Sequence, residues 1–139
     1  MTRTELKSLA RQRLKDAEAL YHAGNYDACF YLCGYVVELA FKARICKVLN
    51  LTEYPETGFR GAFKTHDFKE LKTLAGLDHL LVPSPTSSGL YQNWNIVLTW
   101  TPEKRYSPVG TTPQQTALDL LDAVRAQPDG VFTWLKKRW

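Results

Sequence analysis

Apolar side chains at the start of the chain repeat with the period of an α-helix. In residues 2–23 they are spaced by three and four positions, which places them on one helix face. This face is formed by Leu6, Leu9, Ala10, Leu14, Ala17, Leu20 and Tyr21. Gly24 and Asn25 follow, and both residue types tolerate the left-handed backbone angles that end helices. The pattern predicts a first helix over residues 2–23.

The next segment, residues 26–49, is apolar on nearly every side of a helix. Its apolar positions include Phe30, Leu32, Cys33, Val36, Val37, Leu39, Ala40, Phe41, Ile45 and Val48. A helix of this kind is surrounded by other elements, so we predict that it is the central helix of the fold. It would be about 36 Å long. We expect one short bundle to leave part of this surface uncovered, which favours a homodimer.

Turn-forming residues separate two shorter helices from the central one. A loop with one proline and two glycines comes first. Thr65 is then predicted to cap a third helix over residues 66–74. A second proline-containing connection follows, after which Ser87 or Ser88 is predicted to cap a fourth helix. Pro102 is predicted to terminate that helix, because proline interrupts helical hydrogen bonding.

A charged, turn-prone loop at residues 103–110 precedes the last long helix. Thr112 and Pro113 are predicted to start this helix, with the threonine as cap and the proline in the first turn. The helix is expected to run to about residue 126. A terminal helical turn then extends to Trp139.

The overall pattern predicts an all-α protein. Only residues 95–101 are ambiguous, and no segment alternates between apolar and polar positions long enough for a confident strand. The chain has 139 residues, of which 45% are hydrophobic, and this suits one domain with its own core. We therefore predict an up-and-down bundle of four to five helices in a single domain over residues 1–139.

Composition and charge limit the cellular location of the protein and the kinds of partner that it can bind. Every apolar run is shorter than the roughly 20 residues of a membrane-spanning helix, and the charged first helix leaves no room for a signal peptide. Three cysteines are an odd number, which argues against a secreted disulfide scaffold and favours a cytoplasmic location. The formal net charge of +4 permits a polyanionic partner without requiring one. We interpret the basic residues of the first helix and the C-terminus as solvated surface.

No sharply spaced enzyme signature is present: there is no Gly-rich phosphate loop, no His-Glu-x-x-His and no pair of Cys-x-x-Cys motifs. Cys29 and Cys33 lie four apart on one face of the central helix. One interpretation is a metal or redox pair. The favoured one is two small core hydrophobes, because cysteine is among the most buried residue types. We predict neither a metal nor a cofactor.

Glu38 and Lys42 interrupt the apolar central helix at a spacing of four. A glutamate followed by a lysine at this spacing can form an intrahelical ion pair. The apolar neighbours of Glu38 indicate that it is at least partly buried, where an unpaired carboxylate is costly. Either Lys42 or an arginine from elsewhere must satisfy this carboxylate. Structural pairing is the favoured interpretation, although buried charge often borders a functional cleft.

Several motifs, in order along the chain, resemble the HEPN domain family. They are the turn at residues 24–26, Glu38-Leu-Ala-Phe-Lys42-Ala, His66-Asp-Phe-Lys-Glu-Leu71, Arg105-Tyr106-Ser-Pro108 and the terminal residues 130–135. The resemblance covers nearly the whole chain. It implies a helical bundle, usually a homodimer, associated with RNA or nucleotide binding. Many members are metal-independent ribonucleases of toxin–antitoxin or defence systems, and others pair with a minimal nucleotidyltransferase.

The nuclease members of this family carry an arginine, a short spacer and then a histidine at the start of the last long helix. The resemblance places Arg105 where that arginine belongs, but no histidine follows it here. Arginine cannot exchange protons near neutral pH, so Arg105 alone does not cleave RNA. It can supply positive charge and bidentate phosphate contacts. Tyr106 beside it can stack on a base.

An arginine and a histidine at a similar spacing occur once elsewhere, at Arg60 and His66. This pair precedes the third helix rather than the last long one. We therefore interpret His66 as the cap or a hydrogen-bonding residue of the third helix. His22 and His79 are isolated in sequence and are assigned to surface or structural roles.

Three hypotheses of function follow. The first is a catalytically weak or inactive RNA- or nucleotide-binding homodimer, half of a toxin–antitoxin or defence module and partnered by a minimal nucleotidyltransferase. Its ligand-binding residues are Arg105, Tyr106, Glu38, Lys42 and His66, with Glu38 orienting the Arg105 guanidinium from within the bundle. The second is a metal-independent endoribonuclease toxin that uses Arg105 and a histidine supplied by the fold or the dimer. The third is a purely structural interaction protein.

Overall fold

The computed structural model describes residues 1–55, 61–83 and 88–139. Over these ranges the chain forms six α-helices and no strand, which confirms the all-α fold. The helices are α1 (Arg3–His22), α2 (Tyr26–Val48), α3 (Phe68–Leu74), α4 (Ser88–Val97), α5 (Gln114–Arg125) and α6 (Val131–Lys136). Two 3₁₀ segments lie at Gly61–Phe63 and Pro102–Tyr106.

The α1–α2 hairpin forms as the sequence predicts, within one residue at each end. Thr2 caps α1, and the Glu5 carboxylate accepts a hydrogen bond from the Thr2 backbone N–H at 2.8 Å. This reciprocal arrangement satisfies two N–H groups that would otherwise lack partners at the helix start. Gly24 has φ +79°, the left-handed geometry that reverses the chain between the two helices.

The central position of α2 is confirmed. Of its ten apolar positions named above, eight are buried, Leu32 is half-buried and Val48 is exposed at the C-terminal end. The covering elements are α1, α3, α5, α6 and the Pro102–Tyr106 segment, all of the same chain. Our expectation that one bundle cannot cover α2 was therefore wrong, and a homodimer needs a different argument.

The start of α3 lies two residues later than predicted. Asp67, not Thr65, is the cap, and its carboxylate accepts hydrogen bonds from the backbone N–H groups of Lys69 and Glu70 at 2.8 and 3.0 Å. The Thr65 hydroxyl instead accepts from the Asp67 N–H at 3.0 Å. A carboxylate at the helix start also interacts favourably with the helix dipole. His66 is consequently outside the helix and is not its cap.

The end of α4 also differs from the prediction. The helix stops at Val97, five residues before Pro102, and Pro102 instead begins the 3₁₀ segment Pro102–Tyr106. Proline suits such a first turn because its fixed backbone angle is already helical. Of the two predicted caps, Ser87 lies outside the described residues and Ser88 is the first residue of α4.

The C-terminal helices complete the bundle. Pro113 occupies the cap position of α5 in an extended conformation, so Thr112 does not cap this helix as predicted. The predicted terminal turn is a short helix, α6, whose residues Val131 to Leu135 are all buried. α5 and α6 pack on each other and on α2. In the described part of the chain, no helix is long and apolar enough to cross a membrane.

Candidate functional site

A buried carboxylate lies at the centre of the site. The Glu38 side chain is 3% exposed, and its Oε1 is 2.9 Å from Lys42 Nζ, one turn further along α2. Its Oε2 is 2.8 Å from His66 Nδ1, which comes from the segment before α3. Each carboxylate oxygen therefore has a partner that can carry positive charge, which offsets the cost of burial.

The Glu38 contact also orients the His66 ring. An ionised carboxylate only accepts hydrogen bonds, so Nδ1 of His66 is the protonated nitrogen and donates to Glu38. The neutral ring then presents Nε2 as a proton acceptor. The His66 side chain is 48% exposed, so the ring lies at the protein surface. The cap at Asp67 anchors the adjacent backbone at the start of α3.

A second group of polar side chains continues along the same face of α2. The Tyr31 hydroxyl donates to the Tyr35 hydroxyl at 3.1 Å, and the rings pack edge to face. The Arg105 guanidinium lies beside Tyr31 and is 4.8 Å from the centre of the Tyr106 ring. The hydrogen bond with Tyr31, and after it that with Tyr106, raises the pKa of Arg105 above its usual value. The exposed arginine is thus fixed as a cation.

Tyr35 joins the two groups. Its ring centre is 6.5 Å from that of His66. Burial, the hydrogen bond with Tyr31 and the negative charge of Glu38 raise the pKa of Tyr35 to about 12, and the positive charge of Arg105 opposes this shift. Tyr35 therefore lies within the electrostatic reach of both Glu38 and Arg105. The predicted site residues thus form two groups, Glu38–Lys42–His66 and Arg105–Tyr106, with Tyr35 between them.

One predicted contact is wrong. Glu38 does not orient the Arg105 guanidinium, because its two oxygens are bonded to Lys42 and His66. Tyr31 takes the place that sequence reasoning gave to the carboxylate. Sequence reasoning missed Tyr31 and Tyr35, although their spacing of four on the face of Glu38 was a signal that could have found them.

Two contacts hold the arginine-bearing segment against α2. The indole N–H of Trp100 donates to the Tyr31 carbonyl at 3.1 Å, and the indole lies against Gly34, where a side chain would overlap it. Ten residues later, the Asp27 carboxylate accepts hydrogen bonds from the N–H groups of Gly110 and Thr112 at 2.6 and 2.9 Å. These contacts lower the pKa of Asp27, the Gly110 bond most. The segment with Arg105 and Tyr106 is therefore anchored at both ends.

A cleft of about 510 Å³ opens beside this face. Its lining includes His66 and Lys69 on one side, Pro102 and Glu103 on the other, and Trp100 at the back. The Trp100 indole is stacked on Phe68 with ring centres 5.2 Å apart. The cleft therefore has an aromatic wall and a mixed polar rim, the usual make-up of a small-molecule site.

The remaining sequence candidates lie away from this face or outside the described residues. Cys29 and Cys33 are both buried in the core, as the favoured interpretation predicts, and their mutual hydrogen bond and burial raise the pKa of Cys33. His22 and His79 are exposed. Arg60, half of the second arginine–histidine pair, falls outside the described residues. Over the described ranges, no group of three or more metal-ligating side chains could hold an ion.

The first half of the chain matches a known protein family. A family model described as the HEPN domain matches residues 4–76, more than half of the chain. The chain belongs to the HEPN domain family. No curated protein and no solved structure matches it.

The HEPN match covers part of the site directly. It includes α1, α2, α3 and the described Glu38–Lys42–His66 group, whereas Arg105 and Tyr106 lie beyond the matched residues. The family is typically linked to ribonuclease or nucleotide-related functions. The family membership thus indicates the general class of function. The ligand and any reaction must be inferred from the residues of this chain.

Proposed function

We propose that this HEPN protein binds RNA or a nucleotide through a phosphate group at Arg105. One observation carries the proposal: Arg105 is an exposed cation with no counter-ion among the described residues. Within these ranges, no carboxylate lies within ion-pair distance of it, whereas Tyr31 and Tyr106 lie beside its guanidinium. An unpaired guanidinium can donate two parallel hydrogen bonds to two oxygens of a phosphate.

The surroundings of Arg105 suit the rest of a nucleotide. The Tyr106 ring is 76% exposed, so it is available to stack on a base. The cleft of about 510 Å³ falls within the range of small-ligand sites, and it is lined by Pro102 and Glu103, just before Arg105 in the chain, and not by Arg105 itself. His66 contributes a half-exposed ring at the edge of that cleft. Glu38 and Lys42 support His66 from inside the bundle instead of contacting the ligand themselves.

Substitution of Arg105 tests this proposal. Arg105→Ala is expected to weaken binding of a single-stranded RNA by about 5- to 150-fold, because charge-assisted hydrogen bonds worth about 1–3 kcal/mol are lost. The unfolding free energy should stay within about 0.5 kcal/mol of wild type, since Arg105 is exposed and pairs with no carboxylate of the described residues. Fluorescence anisotropy gives the affinity, and a urea titration gives the stability.

Arg13→Ala is the matched control, because Arg13 pairs with Asp16 at 2.6 Å on the surface of α1. It removes the same charge without touching the proposed site. Equal losses of affinity in the two variants would show general charge attraction, not a site. Unchanged affinity with lowered stability in Arg105→Ala would leave only a structural role for this arginine.

A second candidate function is metal-independent RNA cleavage, supported by the Glu38–His66 hydrogen bond. Such cleavage needs a base for the 2′-hydroxyl, an acid for the leaving oxygen and a cation for the charge that develops on the phosphate. His66 could take the 2′-hydroxyl proton at Nε2 as base and then return it to the leaving oxygen as acid, with Glu38 orienting the ring through Nδ1. Arg105 would supply the cation. Tyr35 connects the two groups. His66, which precedes α3, would thus take the role of the histidine that the nuclease members of the family carry after their arginine.

Under this second candidate, His66→Asn should lower the rate of RNA cleavage in the presence of a chelator by about 100-fold or more, the usual contribution of a general base. RNA affinity should change little, because Arg105 is intact. Gel analysis of an RNA and of its 2′-deoxy counterpart measures the cleavage. His79→Asn is the control, since His79 is exposed and away from the site. If the wild-type chain leaves RNA intact, the binding function stands without cleavage.

HEPN membership also supports two proposals about partners. One is a homodimer, and the other is a minimal nucleotidyltransferase as the second half of a toxin–antitoxin or defence module. The apolar surface of α2 no longer argues for the dimer, because the chain covers it. Sedimentation of the purified chain at micromolar concentration, alone and mixed with such a nucleotidyltransferase, tests both.

A further inference from the structure

Six cations gather on the side of α2 that faces away from the candidate site. We call them the basic cluster: Arg3, Lys7, Arg11, Arg44, Lys47 and Arg138. Lys47 lies 16 residues beyond Tyr31 on α2, which is about 24 Å along the axis and about 160° around it. The basic cluster is therefore separate from the surface around Arg105.

Several contacts show that these cations are neighbours. Arg44 Nη1 and Lys47 Nζ both donate to the Arg138 carbonyl, at 2.9 and 3.2 Å. Burial lowers the pKa of Lys7, and the nearby charges of Arg3, Arg11 and Lys47 lower it further. Burial and then the charge of Arg44 likewise lower the pKa of Arg138. Three elements, α1, α2 and the residues after α6, thus contribute to one positively charged surface.

Packing on tryptophan keeps these like charges together. Lys7 Nζ and the Arg11 guanidinium lie 5.4 and 4.9 Å from the ring centre of Trp139, which is almost fully buried. The Arg138 guanidinium lies 4.3 Å from the ring of Trp134. Cation–π contacts of this kind hold the charged groups in place. The cations are therefore arranged before any ligand arrives.

In the described part of the chain, no carboxylate pairs with these cations. Over residues 1–55, 61–83 and 88–139, none of the six cations forms an ion pair with a carboxylate. The Arg3 Nε atom is buried and has no hydrogen-bond partner. The whole chain has a formal net charge of +4, so the residues outside the basic cluster are net negative. Our interpretation of the basic residues of α1 as ordinary solvated surface does not account for this concentration.

We propose that the basic cluster binds the phosphate backbone of RNA as a second contact surface, separate from Arg105. That the ligand is RNA rests on the proposed function. That the ligand carries several negative charges follows from the six neighbouring cations of the basic cluster. A nucleic-acid strand presents one negative charge per nucleotide, so it can meet several cations at once. Arginine, which provides four of the six cations, binds phosphate oxygens in pairs.

Two arginines on α1 give a matched test. Arg11 belongs to the cluster and forms no ion pair with the residues that the structure describes, whereas Arg13 pairs with Asp16 on a different face of the helix. In a titration of fluorescently labelled single-stranded RNA, Arg11→Gln should weaken binding by roughly threefold to tenfold. In a plot of the logarithm of the binding constant against the logarithm of the salt concentration, the negative slope should become less steep by about 0.7 for each phosphate contact removed. Arg13→Gln should change neither quantity.

The outcomes separate this proposal from the proposed function. Equal affinities and salt slopes for Arg11→Gln and Arg13→Gln would overturn the second surface, even if Arg105→Ala loses affinity. A loss in Arg11→Gln with none in Arg105→Ala would keep the basic cluster and remove the phosphate site at Arg105. Polyglutamate tests for acidic protein segments as the ligand. If it binds the wild type as tightly as RNA does, and binds Arg11→Gln less tightly, the surface is assigned to acidic protein segments instead. Failure of the wild-type chain to bind RNA would overturn the second surface and would leave a nucleotide as the ligand proposed for Arg105.

Discussion

Lys42→Met is expected to lower the free energy of unfolding by about 3 kcal/mol, the scale on which a buried ion pair is broken by removal of one partner. Lys42 Nζ is 2.9 Å from a carboxylate whose side chain is only 3% exposed. Methionine keeps most of the side-chain volume, so the loss is electrostatic rather than a cavity. The remaining partner, His66, is half-exposed and satisfies only one of the two Glu38 oxygens. Urea denaturation followed by circular dichroism measures the change.

Lys72→Met is the matched control for Lys42→Met. Lys72 has a similarly low exposure of 15%, but its partner Asp78 is 56% exposed and 3.6 Å away. A pair with one partner in water contributes about 0–1 kcal/mol, so the control should be nearly neutral. The double variant Glu38→Gln/Lys42→Met should recover part of the loss, because no unpaired charge stays buried. Equal effects of the two lysine substitutions would contradict the buried ion pair.

Gly34→Ala is expected to disturb both stability and the candidate site. A Cβ on Gly34 would overlap the Trp100 indole at its fused ring atoms. Overpacking of this kind costs about 1–3 kcal/mol and exceeds the gain of up to about 1 kcal/mol from replacing glycine in a helix. Trp100 must then move, and the Pro102–Tyr106 segment begins two residues later. We therefore expect a lower melting temperature together with weaker RNA binding.

Two further variants test this coupling between Gly34 and Trp100. Gly61→Ala should leave stability almost unchanged, because no atom lies within 4 Å of the added methyl group. Trp100→Phe has a smaller ring, so the double variant Gly34→Ala/Trp100→Phe should lose less stability than the sum of the two single variants, as residues in contact do. Thermal melts of the set give the comparison. Additive losses would mean that the two residues do not meet as described.

The two site groups respond differently to these changes. Lys42→Met acts on Glu38 and His66, whereas Gly34→Ala acts on Trp100 and, through it, on Arg105. A binding protein that relies on Arg105 should tolerate the first change better than the second. A ribonuclease that also uses His66 should be impaired by both. Parallel measurement of affinity and RNA cleavage in these two variants therefore distinguishes the two candidate functions.

Much of the fold was predictable because helices have a fixed local period. The bounds of α1 and α2 follow from apolar spacing and from the left-handed Gly24 between them. The burial of Glu38 and its pairing with Lys42 follow in the same way, because residues four apart on a helix are neighbours whatever the rest of the chain does. Helix ends were less predictable: Asp67 and Thr65 are both good caps, and only the chain path between them selects Asp67.

Patterns within the sequence were enough to predict most of the helices, the buried carboxylate, its lysine partner and the arginine–tyrosine pair in the loop. Packing between elements places His66, 28 residues away, against the second oxygen of Glu38 and puts Arg105 beside Tyr31 instead. Packing also covers α2 with the same chain and brings cations from three elements into one cluster. The physical reason is that contacts within a helix follow its period of 3.6 residues, whereas contacts between helices depend on loop paths and packing that have no repeat in the sequence.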